Sequence, residues 1–277
     1  MAKSKFPQQL KILALALFSL ALSLLAPTVV VSQSHSNSLS QIHFTPPPES
    51  APAFARRQES RSRCPCYNSV HSFTALLPPT SFAQTTAERP TFFLYVPHAT
   101  AAKTVVNKDD NGCNKTVNNS QLRESFGVEF ELVDEQERRI YQTEFAITNT
   151  PGIISFTLPQ NAPPLELKKY YKWYFEVICD REDRSGDSVV SGWTRRVEIT
   201  PNLAKELAKA SPTDRPAIYA QYGLWQDTLT TLAQLRQSQP LDVSLAKAWE
   251  QLLKSVGLEN ISQEPLVECC HAQKLES

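Results

Sequence analysis

Residues 188–209 read SVVSGWTRRVEITPNLAKELAK, and the fold turns on how polarity repeats along them. Up to Ile199 apolar and polar residues alternate, the period of a strand with one wet face. Val189, Trp193, Val197 and Ile199 then share one side, and Arg195 falls on that side, inward or at the rim, where a charge needs a partner. At Thr200-Pro201 the pattern changes: an N-cap is followed by proline at the first helical position, and the stripes that follow are helical.

Upstream of that switch the period is two. Tyr171, Trp173, Phe175, Val177 and Cys179 share one face of a strand, with Lys172 and Glu176 opposite and Tyr170 and Tyr174 on the predicted outer face. Phe126, Val128, Phe130 and Leu132 alternate with Gly127, Glu129 and Glu131. After the polar loop Asp134 to Arg138, residues Tyr141, Thr143, Phe145 and Ile147 alternate with Gln142 and Glu144, so the pair reads as a β-hairpin. Thr150-Pro151-Gly152 is a turn before a strand from Ile153 to Leu158. Two earlier strands fit Phe73 to Leu77 and Thr91 to Val96. About seven short strands separated by polar turns predict an antiparallel, immunoglobulin-like β-sandwich over 64–200. Residues 99–120, rich in Asn and Lys, read as a surface insertion. Asn114 and Asn118 there, and Asn260 later, begin glycosylation-acceptor triplets.

Downstream, residues 201–258 predict a helical module. Ser211-Pro212-Thr213-Asp214 repeats the capping device. Trp225, Leu229, Leu232 and Leu235 form one stripe. Asp242 caps a last helix bearing Leu245, Trp249, Leu252 and Val256, closed by Gly257. Tyr219, Gly223, Trp225, Leu229 and Pro240 match a tetratricopeptide-type hairpin. Only about one and a half units fit where a solenoid needs about three, so these helices are expected to pack on the sandwich or on one another.

The other end of the chain predicts an address. Lys3, Lys5 and Lys11 precede an apolar run from Ile12 to Leu25, and small residues extend to Ser32, so residues 1–32 read as a signal peptide. An uncleaved anchor is the competing reading, since Ile12 to Val31 is about long enough to span a bilayer, but Pro27 and Thr28 interrupt the run. No later segment is apolar enough to span. Residues 33–63, rich in Ser, Gln, Pro and Arg around Pro46-Pro47-Pro48, predict a disordered or extended spacer, and residues 259–277 a flexible tail. The expected location is the periplasm or the exterior. Export permits disulfides among Cys64, Cys66, Cys113, Cys179, Cys269 and Cys270. Six cysteines allow 15 connectivities; a bridge from Cys64 or Cys66 to Cys179 is the favoured one. Cys64-Pro65-Cys66 has no second such pair, so zinc is not implied.

A set of short strings, in order, carries a resemblance. They are Pro90 to Pro97, Ile140-Tyr141 through Phe145, Pro151-Gly152-Ile153-Ile154, Tyr171 to Phe175 with Cys179-Asp180, Gly192 to Val197, and Ala217 through Gly223-Leu224-Trp225 to Leu235-Arg236. The set resembles an uncharacterised family of exported cyanobacterial proteins, the domain of unknown function numbered nine hundred and twenty-eight. The resemblance spans about residues 64–260 and implies a cell-envelope setting. It supplies no activity.

The 28 basic residues balance 28 acidic ones, which argues against nucleic acid or an anionic membrane as partner. Catalysis finds no support: no H-E-x-x-H, no G-x-S-x-G and no glycine-rich phosphate loop occurs, and neither a cofactor nor a metal is implied. The densest polar cluster runs from Asp180 to Asp187. Its order departs from calcium-loop spacing, and it reads as a salt-bridged loop in which Arg184 or Arg195 pairs with Asp180 or Asp183. Tyr170 and Tyr174 are candidate platforms for a sugar or a partner protein, or else are covered by the helical module. Tyr170, Tyr174, Asp180, Asp183, Arg184, Trp193 and Arg195 are therefore the candidate binding residues. Three functions compete: a non-catalytic module binding another envelope protein, a carbohydrate-binding module for envelope glycan or exopolysaccharide, and an enzyme without a recognisable motif. An exposed apolar patch, expected along the Trp249 helix, marks the first; a row of exposed aromatics marks the second.

Overall fold

A computed structural model describes residues 42–52, 73–97, 125–148, 151–178, 181–182, 184 and 187–267. The signal segment, the six cysteines with the favoured bridge, the 99–120 insertion with Asn114 and Asn118, and Asp180 and Asp183 lie outside those residues.

Chain order gives β1 (Thr74–Ala75), β2 (Phe82–Thr85), β3 (Thr91–Val96), β4 (Ser125–Asp134), β5 (Arg139–Thr148), β6 (Gly152–Thr157), β7 (Tyr170–Ile178) and β8 (Ser188–Arg196). The helices α1 (Pro201–Lys209), α2 (Arg215–Gln221), α3 (Trp225–Ser238) and α4 (Val243–Lys254) follow, then a 3-10 turn at Glu259–Ile261. The described residues thus form a mixed β plus α structure. One sheet has the order β1-β3-β6 and the other β2-β8-β7-β4-β5. Every named pairing is antiparallel except β2 with β8. β2 has no counterpart among the strands that alternation predicts, because its four residues are too few to show a period.

The two sheets pack through aromatic rings. Phe130 lies 5.1 Å from Phe92, 4.6 Å from Phe156 and 5.1 Å from Phe175, centroid to centroid. Trp173 lies 5.3 Å from Phe92. Such pairs add to the roughly 1.5–3 kcal/mol that burying each large apolar side chain contributes. Phe93, one residue on from Phe92, points the other way and meets Trp249 of α4 at 6.4 Å. The helices therefore cover the far side of the three-stranded sheet. Trp225 fixes α3 there, its Nε1–H donating to the Leu76 carbonyl at 2.8 Å. Asp227, in the first turn of α3, accepts from the Thr86 amide at 3.0 Å and the Thr86 hydroxyl at 2.6 Å, which ties the helix to the end of β2.

Two flanking segments join this layer. Within the stretch read as spacer, Ile42 and Phe44 are buried, Phe44 edge-on to Trp225 at 4.8 Å. The Thr45 amide donates to the Ala220 carbonyl at 3.1 Å. Gly223 makes this approach possible: its φ is +72°, and a Cβ there would sit 3.0 Å from the Thr45 carbonyl oxygen. At the other end Ile261 is buried, and Ile153 donates to the Pro265 carbonyl while Val267 donates back to Ile153, so residues 265–267 extend the β6 edge. The described residues from 42 to 267 fall in one compact unit. Average composition hid both segments, because two or three apolar anchors in a polar stretch barely move a mean.

Candidate functional site

The outward face of the five-stranded sheet collects every described candidate residue. Register sets the pattern. Tyr170 lies opposite Arg195, Lys172 opposite Trp193 and Tyr174 opposite Ser191, while Arg195 and Trp193 lie opposite Gln84 and Phe82 of β2. Directly opposed residues share a face. Trp193 and Arg195 thus belong with Tyr170 and Tyr174, away from the core.

This corrects the expected inward side of β8. Val190, Gly192 and Thr194 take it instead. The reason is volume: Trp173 lies beneath β8, and a Cβ on Gly192 would come within 2.6 Å of its ring and 2.2 Å of Leu77. The core needs small residues here, so the large indole points out. Beyond Arg196 the strand ends, and Ile199, expected inside, is 52% exposed.

One half of the face stacks cations on rings. The Lys172 ammonium lies 4.9 Å from the Tyr174 ring centre and 5.8 Å from that of Trp193. The Arg195 guanidinium lies 4.9 Å from the Tyr170 ring, which itself leans on Phe82 at 5.7 Å. Arg195 also donates to the Lys168 carbonyl at 3.3 Å and forms an ion pair with Glu49. Glu49 accepts from Gln84 at 3.0 Å as well, so the segment carrying Glu49 closes this end of the face. Tyr174 and Lys172 are buried, and Tyr170, Trp193 and Arg195 are half-buried. The helices meet this sheet from its inner side and at the end of β2, where Thr194 donates to Gln226 and Thr86 to Asp227, and not on the face that carries these tyrosines.

The other half is a row of carboxylates. Glu129 stands between Glu144 and Glu176 on adjacent strands, directly opposite both. Like charges so placed repel, and arginines offset them. Arg184 reaches Glu176 at 3.4 Å and Glu129 at 3.9 Å and pairs with Asp187. Its hydrogen bond to Asp187 holds the guanidinium pKa above its usual value. Arg181 pairs with Glu144, and Arg139 with Glu131 at 2.7 Å. Asp187 and the strand glutamates are thus the partners seen for Arg184, as Glu49 is for Arg195. The alternation showed that Glu129, Glu144 and Glu176 face out; that they align in one row is a matter of register, which no local pattern carries. Glu49, 146 residues from Arg195, left no local signal. Planar rings with cations stacked on them and an ion-paired acidic row thus make up this face.

A second surface feature sits at the turn into α4. Leu241 and Val243 are 93% and 82% exposed on either side of Asp242, whose carboxylate caps the helix by accepting from the Ser244 amide at 2.8 Å. Trp249 of the same helix is buried, and Val243 at its start is the exposed large apolar residue of the helix. No described helix is long and apolar enough to cross a membrane.

In comparison with known proteins, residues 55–266 match the model of the family described as Domain of Unknown Function (DUF928). Neither a curated protein nor a solved structure matches the chain.

Proposed function

The chain belongs to the DUF928 family, and we propose that it is an exported, non-catalytic interaction module that docks another protein of the cell envelope. The observation that carries this reading is the exposed pair Leu241 and Val243. Two large apolar side chains held out on a capped turn form a preorganised knob, and such a knob loses little entropy when it enters a partner's pocket. We read the sheets as an immunoglobulin-like sandwich. The strand order supports this, with a β2-β8-β7-β4-β5 sheet facing a β1-β3-β6 sheet. We read α2 and α3 as a tetratricopeptide-like pair, which Gly223 at the turn and buried Trp225 support.

The test is capture from an envelope extract of the source organism with the full-length chain as bait. The native chain should retain a defined protein. The double variant Leu241→Asp with Val243→Asp should lose at least about 90% of it with an unchanged melting temperature. Equal retention by the variant, or retention of polysaccharide alone, refutes the reading; the latter would favour glycan binding by the half-buried Tyr170 and Trp193.

A further inference from the structure

We propose that β5 pairs antiparallel, edge to edge, with β5 of a second copy of this chain about a two-fold axis at Thr143. This inference is independent of the knob at Leu241 and Val243.

Hydrogen-bond direction can be followed across the sheet. The Trp193 and Val197 amides donate to Ser81 and Thr85, at 2.9 and 2.8 Å, so Trp193 and Arg195 turn their main-chain groups to β2. Val190, Gly192 and Thr194 then serve β7, where they oppose Phe175, Trp173 and Tyr171. Lys172, Tyr174 and Glu176 are left to serve β4, opposite Val133, Glu131 and Glu129. Val128, Phe130 and Leu132 therefore serve β5, opposite Phe145, Thr143 and Tyr141. The N–H and C=O groups of Gln142, Glu144 and Ala146 are those aimed off the sheet, and no described strand lies there to take them.

This edge is the long open one among the described residues. β1 has two residues and β2 four, and β6 has six, bridged at Ile153 by residues 265–267. β5 has ten, RIYQTEFAIT, about 34 Å of strand. It contains neither proline nor lysine, its charges are Arg139 at one end and Glu144, which Arg181 holds, and the bulge in its pairing with β4 lies near that same end, at Leu132 and Val133. Its composition is that of a strand meant to be paired.

Self-complementarity selects the occupant. An axis at Glu144 would set two glutamates face to face. An axis at Thr143 sets Gln142 against Glu144 of the second copy twice, an amide donor against a carboxylate. On the other face it sets Tyr141 against Phe145 and Thr143 against itself. Tyr141 and Thr143 are half-buried at the margin of the core, so the second copy would complete their burial.

Sedimentation equilibrium of the full-length chain, with and without reductant, tests this. A reductant-independent dimer is expected. Gln142→Pro deletes an amide hydrogen that β4 does not use, so it should weaken dimerisation at least tenfold while leaving the melting temperature of the dilute chain within a few degrees. Gln142→Glu, which opposes two carboxylates, should weaken it less. A chain that is monomeric at every concentration, a dimer that reductant abolishes, or one indifferent to both variants overturns the proposal.

Discussion

On β7, Tyr171, Trp173, Phe175 and Val177 point into the core with 3% exposure or less, while Tyr170, Lys172, Tyr174 and Glu176 between them carry cation–ring stacks and ion pairs. The same nine residues build two environments. Inside, each ring is fixed by the volume of its neighbours, as Gly192 beneath Trp173 illustrates. Outside, Arg184 has three partners in Glu129, Glu176 and Asp187, and Arg195 has Glu49, the Tyr170 ring and the Lys168 carbonyl. Packing errors inside should therefore be expensive, whereas losses outside should be shared among the remaining contacts.

The widest gap between the faces should come from Phe130. It touches Phe92, Phe156 and Phe175 and is fully buried. Phe130→Ala removes a ring that touches both sheets and should cost about 3–5 kcal/mol in urea unfolding. A loss under about 1 kcal/mol would mean that the sheets do not pack as described.

How far each face could be read from the sequence follows from the same contrast. Alternation on β4, β5 and β7 named the core residues, because burial selects residue type position by position. It assigned Trp193 to the wrong side, because Val189, Val197 and Ile199 alternate in phase with it and the small residues demanded by Trp173 are not visible one strand away. The ion pairs of the outer face depend on register and on Glu49, a residue in a proline-rich stretch whose average composition concealed Ile42 and Phe44. The helical layer was announced by Thr200-Pro201, and Thr200 does cap α1, accepting from the Leu203 amide at 3.3 Å. That the layer rests on the three-stranded sheet was not legible, since Phe93 and Trp249 are 156 residues apart.

A charged group that belongs to the inward side sharpens the comparison. Asp134 lies opposite Tyr171 at the end of β4 and is 8% exposed. Burial tends to raise its pKa, but hydrogen bonds from the Arg138 side chain and from the amides of Arg138 and Gln136 outweigh that, and the carboxyl sits below its usual value. A depressed folded pKa adds stability that is fully present above the unfolded value of about 3.9 and is lost as pH falls below it towards the folded pKa. Asp134→Asn should thus cost about 1–2 kcal/mol at pH 7, and the gap to the native chain should close below about pH 4. Unfolding midpoints across pH 3–7 report it; a gap constant with pH would show that the turn tolerates the neutral side chain and that ionisation contributes nothing.

The smallest effect should come from Arg195 and Glu49, which belong wholly to the outer face. Arg195 keeps its stack on Tyr170 and its bond to Lys168 when Glu49 is neutralised, and Glu49 keeps Gln84 when Arg195 is replaced. A double-mutant cycle with Glu49→Gln and Arg195→Gln should therefore give a coupling of at most about 1 kcal/mol, smaller at high salt. Arg195→Lys should recover little of it, because an ammonium keeps the charge and loses the planar stack. A coupling above about 2 kcal/mol, insensitive to salt, would place the pair in a desolvated setting like that of Asp134. The segment around Glu49 would then be as fixed as the core, and the outer face would be a closed interior rather than a surface that a partner can reach.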